Sequence, residues 1–178
     1  MKTLLPSLLA AGLTLAAGAT LAHGQAHGHK HAPGHGAHVH GQARLLLAVH
    51  GNTVQISLES PLDNLLGFEH APRTPKEKEA VEAMLARLKA PETLLALSPA
   101  AGCKAEPAQV SALPGQDGQD SHGDLEADFS FTCANPPRDL EVKLFTAFPR
   151  LKRLDVQLAT PAGQAAQRLA PGKTRLSW

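Results

Sequence analysis

Residues 43–60 read ARLLLAVH-GN-TVQISLES, and this stretch decides the fold. Gly51-Asn52 is a two-residue, glycine-first turn of the kind that closes a type II′ β-hairpin. Folding the chain about it sets Val49 opposite Val54, Leu47 opposite Ile56 and Leu45 opposite Leu58 on one face. The other face then carries His50 with Thr53, Ala48 with Gln55, Leu46 with Ser57 and Arg44 with Glu59. Side chains on a strand alternate with a period of two, so a one-residue slip would turn the whole aliphatic set to solvent. The pattern predicts a half-buried antiparallel sheet in this register.

Carried back toward the N-terminus, the same parity puts His38 and His40 on the polar face, provided strand geometry extends that far. Two histidines at i and i+2 on a strand point the same way and can share a metal ion. Upstream, His23 to His40 reads HGQAHGHKHAPGHGAHVH, with seven histidines in 18 positions and mostly Gly, Ala and Gln between them. Such a segment has no apolar periodicity and buries too little surface to offset its ordering entropy, so it is expected to be a disordered arm. His23, His27, His29, His31 and His35 would serve there as metal ligands, because neutral imidazole binds zinc, copper and nickel and a flexible chain can wrap an ion. A purification tag would be an unbroken histidine run, and an ordinary linker would use Ser, Glu or Lys.

The chain begins with Lys2, an apolar run from Leu4 to Leu21 and the small-residue pattern Thr20-Leu21-Ala22. That is the form of a secretory signal peptide cleaved after Ala22; Pro6, Gly12, Gly18 and the abrupt switch to histidine and glycine weigh against a membrane anchor. Removal of residues 1–22 leaves 16 Lys and Arg against 16 Asp and Glu. No stretch offers the basic face that nucleic acid demands. The expected organisation is a signal peptide over 1–22, a His-rich arm over 23–37 and one domain over 38–178, with the protein exported to the periplasm and not membrane-spanning once cleaved. With five Phe, one Trp and no Tyr, the domain's core must be aliphatic.

C-terminal to the hairpin, SPLDNLLGFEHAPRTP connects to a helix. Thr74 as N-cap, Pro75 at the first helical position and Glu77 at the third form a capping-box signature. Val81, Met84, Leu85 and Leu88 recur at helical spacing and Pro91 stops the run, predicting one main amphipathic helix over about residues 75–90 packed on a sheet. In the loop before it, Glu69-His70 offers a carboxylate and an imidazole; His70 is equally suited to a hydrogen bond with its own loop.

Cys103 and Cys133, in an exported chain, read first as a disulfide and second as thiolate ligands. The segments CKAEPAQVSAL and DLEADFSFTC flank a polar loop, and a hairpin centred on Gly118 sets the two cysteines opposite each other. Ala108, Val110 and Ala112 have the wrong parity for that register, which a bulge near Pro107 would repair. His122 and Asp124 form an H-x-D pair at the start of the second strand and are candidate zinc ligands, against the alternative of a solvated loop histidine. Farther on, LEVKL and LDVQLAT alternate as strands, Thr160-Pro161-Ala162-Gly163 and Pro171-Gly172 punctuate as turns, and LFTAFP is readable as one helical turn.

The blocks HVHGQARLLLAVHGN (38–52), ESPLDNLLGFEHAP (59–72), AGC (101–103), SHGDLEADFSFTC (121–133), LFTAFP (144–149) and LDVQ (154–157) resemble the ZrgA-type periplasmic zinc uptake proteins through nearly the whole exported chain. The GFEHAP block is the most specific. The resemblance implies a periplasmic protein that binds zinc ions and serves inner-membrane transporter components, not an enzyme. His38, His40, Glu69, His70, His122 and Asp124 fall in the shared blocks, whereas no single arm residue is carried over.

Physics and resemblance agree on an arm that collects Zn2+ and a domain site of three or four N/O ligands that holds it for delivery. A zinc hydrolase would need fixed ligands, a bound water and a base; no HExxH motif is present and Glu69 is the only candidate base. A copper or nickel buffer is the alternative, although the presence of only Met1 and Met84 weighs against a methionine-rich copper(I) site. A pH-responsive interaction module is a third class, marked by partner binding indifferent to chelators. The expected fold is α+β: mostly antiparallel β-sheet, one main helix, one disulfide and a disordered His-rich N-terminal arm.

Overall fold

A computed structural model of the chain describes residues 39–111 and 123–178. The expected signal peptide, the expected arm with His23, His27, His29, His31 and His35, and also His38 and residues 112–122 with His122, lie outside the described residues.

The opening hairpin pairs β1 (Gln42–His50) with β2 (Thr53–Pro61) in the register that the alternation dictates, from Arg44 opposite Glu59 to His50 opposite Thr53. Gly51 turns the corner at φ +58°, where a Cβ is disfavoured. Leu45, Leu47, Val49, Val54, Ile56 and Leu58 are buried on one face. On the other face Arg44 donates to Glu59 at 3.0 Å.

Strand β6 (Asp124–Thr132) lies antiparallel on the far side of β2 and buries Leu125, Ala127, Phe129 and Phe131 on the same face. Along its outer edge run two short strands, β4 (Lys104–Ala105) and then β5 (Gln109–Ser111). Lys104 faces Thr132, the register in which Cys103 meets Cys133, and those two cysteines form a disulfide. Gln109 faces Asp128, so three steps from Glu106 to Gln109 match two from Ser130 to Asp128. The extra residue is a bulge at Pro107-Ala108, which turns Val110 toward buried Ala127 and removes the parity conflict.

The main sheet is completed by β8 (Arg153–Thr160) and β9 (Gly163–Leu169), giving the order β4-β6-β2-β1-β8-β9 with β5 beside β6. Every pairing in it is antiparallel except β1 with β8, which is parallel. A second, antiparallel sheet orders β10 (Arg175–Ser177), β7 (Asp139–Val142) and β3 (Leu95–Leu97).

Helix α1 (Asp63–Leu66) is a single turn within the connector. The main helix, α2 (Pro75–Leu88), carries the full capping box: Thr74 Oγ1 accepts from Glu77 N at 3.2 Å and Glu77 Oε2 accepts from Thr74 N at 2.9 Å. Its Met84 and Leu88 are buried in the same core as the inner faces of both sheets, together with Leu94, Leu140, Val142, Phe148 and Leu176. Pro91 opens the short helix α3 (Pro91–Leu94), and LFTAFP contains the helical turn α4 (Leu144–Ala147). Among the described residues no helix is long and apolar enough to cross a membrane.

Candidate metal centre

The connector between β2 and α2 builds the site. Pro61 ends β2 opposite Asp124, and the fully buried Leu62 anchors the next turn, its N–H donating to the Gly123 carbonyl at 3.0 Å. Helix α1 then runs for one turn and stops at Gly67, whose φ of +87° reverses the chain and sends Phe68-Glu69-His70 back along the domain. Polar residues inside this apolar block are not surface decoration: Asn64 is 1 % exposed and Asp63 is buried as well.

Asn64 ties the start of β1 to this turn. Its Nδ2 donates to the Gln42 carbonyl at 2.7 Å and to Ser60 Oγ at 3.1 Å, while its Oδ1 accepts from Gly41 N at 2.5 Å. The backbone on the C-terminal side of His40 is thereby fixed. His40 itself is in a turn, because Gln42 N donates to the Val39 carbonyl and Gly41 has φ +81°. Strand geometry thus ends at Gln42, and the extrapolated parity that put His40 on the polar strand face fails at Gly41.

The turn aims the His40 imidazole at the connector. Its Nε2 lies 3.2 Å from Glu69 Oε1, and its Nδ1 lies 3.9 Å from Asp63 Oδ2. The imidazole is 64 % exposed, whereas the Asp63 and Glu69 side chains are only 12 % and 13 % exposed. The exposed imidazole thus lies over two recessed carboxylates, at hydrogen-bond distance from that of Glu69. Asp63 is also gripped by Arg150: Nη2 donates to Oδ1 at 2.7 Å and to Oδ2 at 2.9 Å, and Nε donates to the Asp63 carbonyl at 2.9 Å.

Gly123 approaches the same place. A Cβ there would lie 2.5 Å from Leu62 Cδ1 and 3.3 Å from the Glu69 carbonyl oxygen, so only glycine permits this contact. Asp124, the other member of the H-x-D pair, begins β6 beside Pro61. His38 and His122 lie outside the described residues, two positions before His40 and one before Gly123 in the sequence.

His70 faces elsewhere. Its Nδ1 donates to the Ala71 carbonyl at 2.9 Å, its ring stacks on Phe68 with centroids 5.1 Å apart, and its Nε2 is 3.9 Å from Glu77 Oε1. That carboxyl is held below its ordinary value first by the Thr74 and Arg73 backbone N–H groups, with the His70 imidazole adding to them. His70 therefore joins the loop to the capping box of α2. His50, at the other end of β1, is exposed and faces Thr53. Cys103 and Cys133 are bonded to each other, so the thiolate alternative is ruled out.

Among the described residues no cluster of three or more His, Cys, Asp or Glu side chains has metal-binding geometry by itself. A trough of about 1380 Å³ on the outer face of the main sheet is lined by Leu46, Ala48, Gln55, Ser57, Asp128 and Gln157 among others, with no histidine. It has no donor set for zinc.

The family profile described as ZrgA family zinc uptake protein matches residues 37–178. This chain belongs to that family. The match covers the described domain from just before His40 to the C-terminal Trp178 and connects the chain with zinc uptake. Comparison with curated proteins gives no match. Within this ZrgA-family chain, residue patterning points to His40 and Glu69 but not to Asp63, Asn64 or Arg150. One signal was present: Asp63-Asn64 interrupts the apolar run PLDNLLGF, and a charged residue and an amide amid buried positions need partners.

Proposed function

We propose that this protein is a periplasmic zinc carrier in which the His-rich arm collects Zn2+ and an ordered site around His40 and Glu69 holds it for hand-over to an inner-membrane transporter. The role is binding and carriage, not catalysis. The observation that carries this reading is the 3.2 Å separation of His40 Nε2 and Glu69 Oε1. Two N/O ligands on one tetrahedral zinc ion, each at about 2.0–2.2 Å, stand about 3.4 Å apart. The pair thus has nearly the span of two corners of a zinc tetrahedron. The remaining one or two donors are assigned to Asp124, which begins β6 opposite Pro61, and to His38 or His122, which stand two positions before His40 and one before Gly123 in the sequence. His70 is assigned to the loop.

An exposed imidazole over recessed carboxylates suits temporary holding, since the ion enters and leaves from the solvent side. The arm histidines, His23, His27, His29, His31 and His35, would raise the local zinc concentration at that opening. Competition titration against a chelator tests the reading: with the arm histidines changed to Gln, one tight zinc site should remain, and His40→Ala or Glu69→Gln should remove it. A tight site that survives both substitutions would overturn the assignment.

A further inference from the structure

The main sheet has two edges, and they are built differently. On one, β4 and β5 are two and three residues long and are parted by the bulge at Pro107-Ala108, with Lys104 exposed beside it. Short strands, proline, bulges and lysine are the devices that keep a sheet edge from pairing with another chain. The other edge is β9, seven residues reading GQAAQRL, with no proline and an unbroken register against β8. Its one charged side chain, Arg168, is engaged by Asp155 at 2.9 Å. Among the described residues no strand pairs with its far side.

The direction of the β9 main-chain groups follows from the neighbouring strands. Arg153 N donates to the Gly41 carbonyl on the β1 side at 2.8 Å, so along β8 residues 153, 155, 157 and 159 bond toward β1, and residues 154, 156, 158 and 160 bond toward β9. The latter four face Leu169, Gln167, Ala165 and Gly163. The N–H and C=O groups of Gln164, Ala166 and Arg168 therefore point out from the open edge. We propose that β9 pairs antiparallel with β9 of a second copy of this chain about a two-fold axis at Ala166. In that register Ala166 faces the partner's Ala166 and Gln164 faces the partner's Arg168, each pair exchanging both of its main-chain hydrogen bonds. An axis at Ala165 instead would leave Arg168 opposite the Pro161-Ala162 turn. A methyl group on the axis lets the two backbones meet, the Gln164 amide oxygen accepts from a guanidinium, and no like charges oppose each other. The edge is thus complementary to itself, the condition for an isologous dimer with one sheet continuous across both chains.

The test is sedimentation velocity on residues 23–178 in a chelator, from micromolar to millimolar concentration, so that metal bridging plays no part. The parent chain should show a concentration-dependent dimer. Ala166 is exposed and its N–H is not used by β8, so Ala166→Lys, Ala166→Glu and Ala166→Pro should each keep a cooperative urea transition and each be monomeric over that range. Mixing A166K with A166E should restore a dimer containing one of each, because opposite charges then meet on the axis. A parent chain that stays monomeric throughout would overturn the proposal and leave the edge open to a segment of another protein. A dimer that survives Ala166→Pro would overturn it by placing the contact elsewhere, and so would a mixture of folded A166K and A166E that stays monomeric.

Discussion

The His40 imidazole and the Glu69 carboxylate, 29 residues apart in sequence, meet at 3.2 Å at the mouth of the β1–β2 end of the domain. A tetrahedral ion bound there would place cobalt(II), substituted for zinc, in a low-symmetry N/O field. Cobalt loading of the chain with Gln in place of the arm histidines should therefore give intense visible absorption of the tetrahedral kind. Glu69→Gln should weaken cobalt binding and shift that spectrum, whereas Glu59→Gln, on the exposed strand face, should change neither.

Histidine ligands must be neutral to bind, so zinc retention should fall as pH drops through the ordinary imidazole range, about 6 to 7. Equilibrium dialysis across that range should show progressive release. Full retention at about pH 5 would contradict a histidine-based site.

Gly123→Ala should cost about 1–3 kcal/mol, because its new methyl would meet the fully buried Leu62 side chain at 2.5 Å. The Glu69 carbonyl 3.3 Å away blocks an easy retreat. Urea unfolding measures the loss, and zinc titration of the same variant should show weaker binding because the strained contact lies against Glu69.

Much of the fold was legible, and for a physical reason: local pattern determines local geometry. The Gly51-Asn52 turn sets the β1–β2 register, Thr74-Pro75 and Glu77 set the start of α2, and an even pair of cysteines flanking two strand-like segments reads first as a disulfide. The parallel partnership of β1 with β8 was not legible, because alternation tells which face a strand buries but not which distant strand it joins. The site was half legible for the same reason. Residue chemistry identified His40 and Glu69, but their meeting depends on the Gly41 turn and on the Asn64 clamp, and Arg150 arrives from 87 residues beyond Asp63.

Opening the Cys103–Cys133 disulfide should cost about 3–4 kcal/mol, the loop-closure stabilisation for a separation of 30 residues. The Cys103→Ser, Cys133→Ser double variant should unfold at correspondingly lower urea. Of the proposed donors, His40 and Glu69 lie outside the loop that the disulfide closes and Asp124 within it, so zinc affinity should fall less than in His40→Ala while the domain remains folded.

At the start of α2, Thr74→Ala should cost about 1 kcal/mol through the lost cap. Glu77 gives the cap a pH dependence. Its carboxyl is held below its ordinary 4.5, so its contribution is complete above that value and is lost as pH falls through the depressed one. Amide exchange in the first turn of α2 should therefore accelerate only on the acid side, and Glu77→Gln should flatten that response.

The most direct test of the account is zinc calorimetry, with a competing chelator, on residues 23–178 beside a variant that also lacks residues 23–37. The account predicts that the shortened chain loses the weaker arm sites and keeps one tight site, which His40→Ala then removes. Loss of all zinc binding on deletion of the arm would contradict it, and would leave the domain as a scaffold without a metal centre.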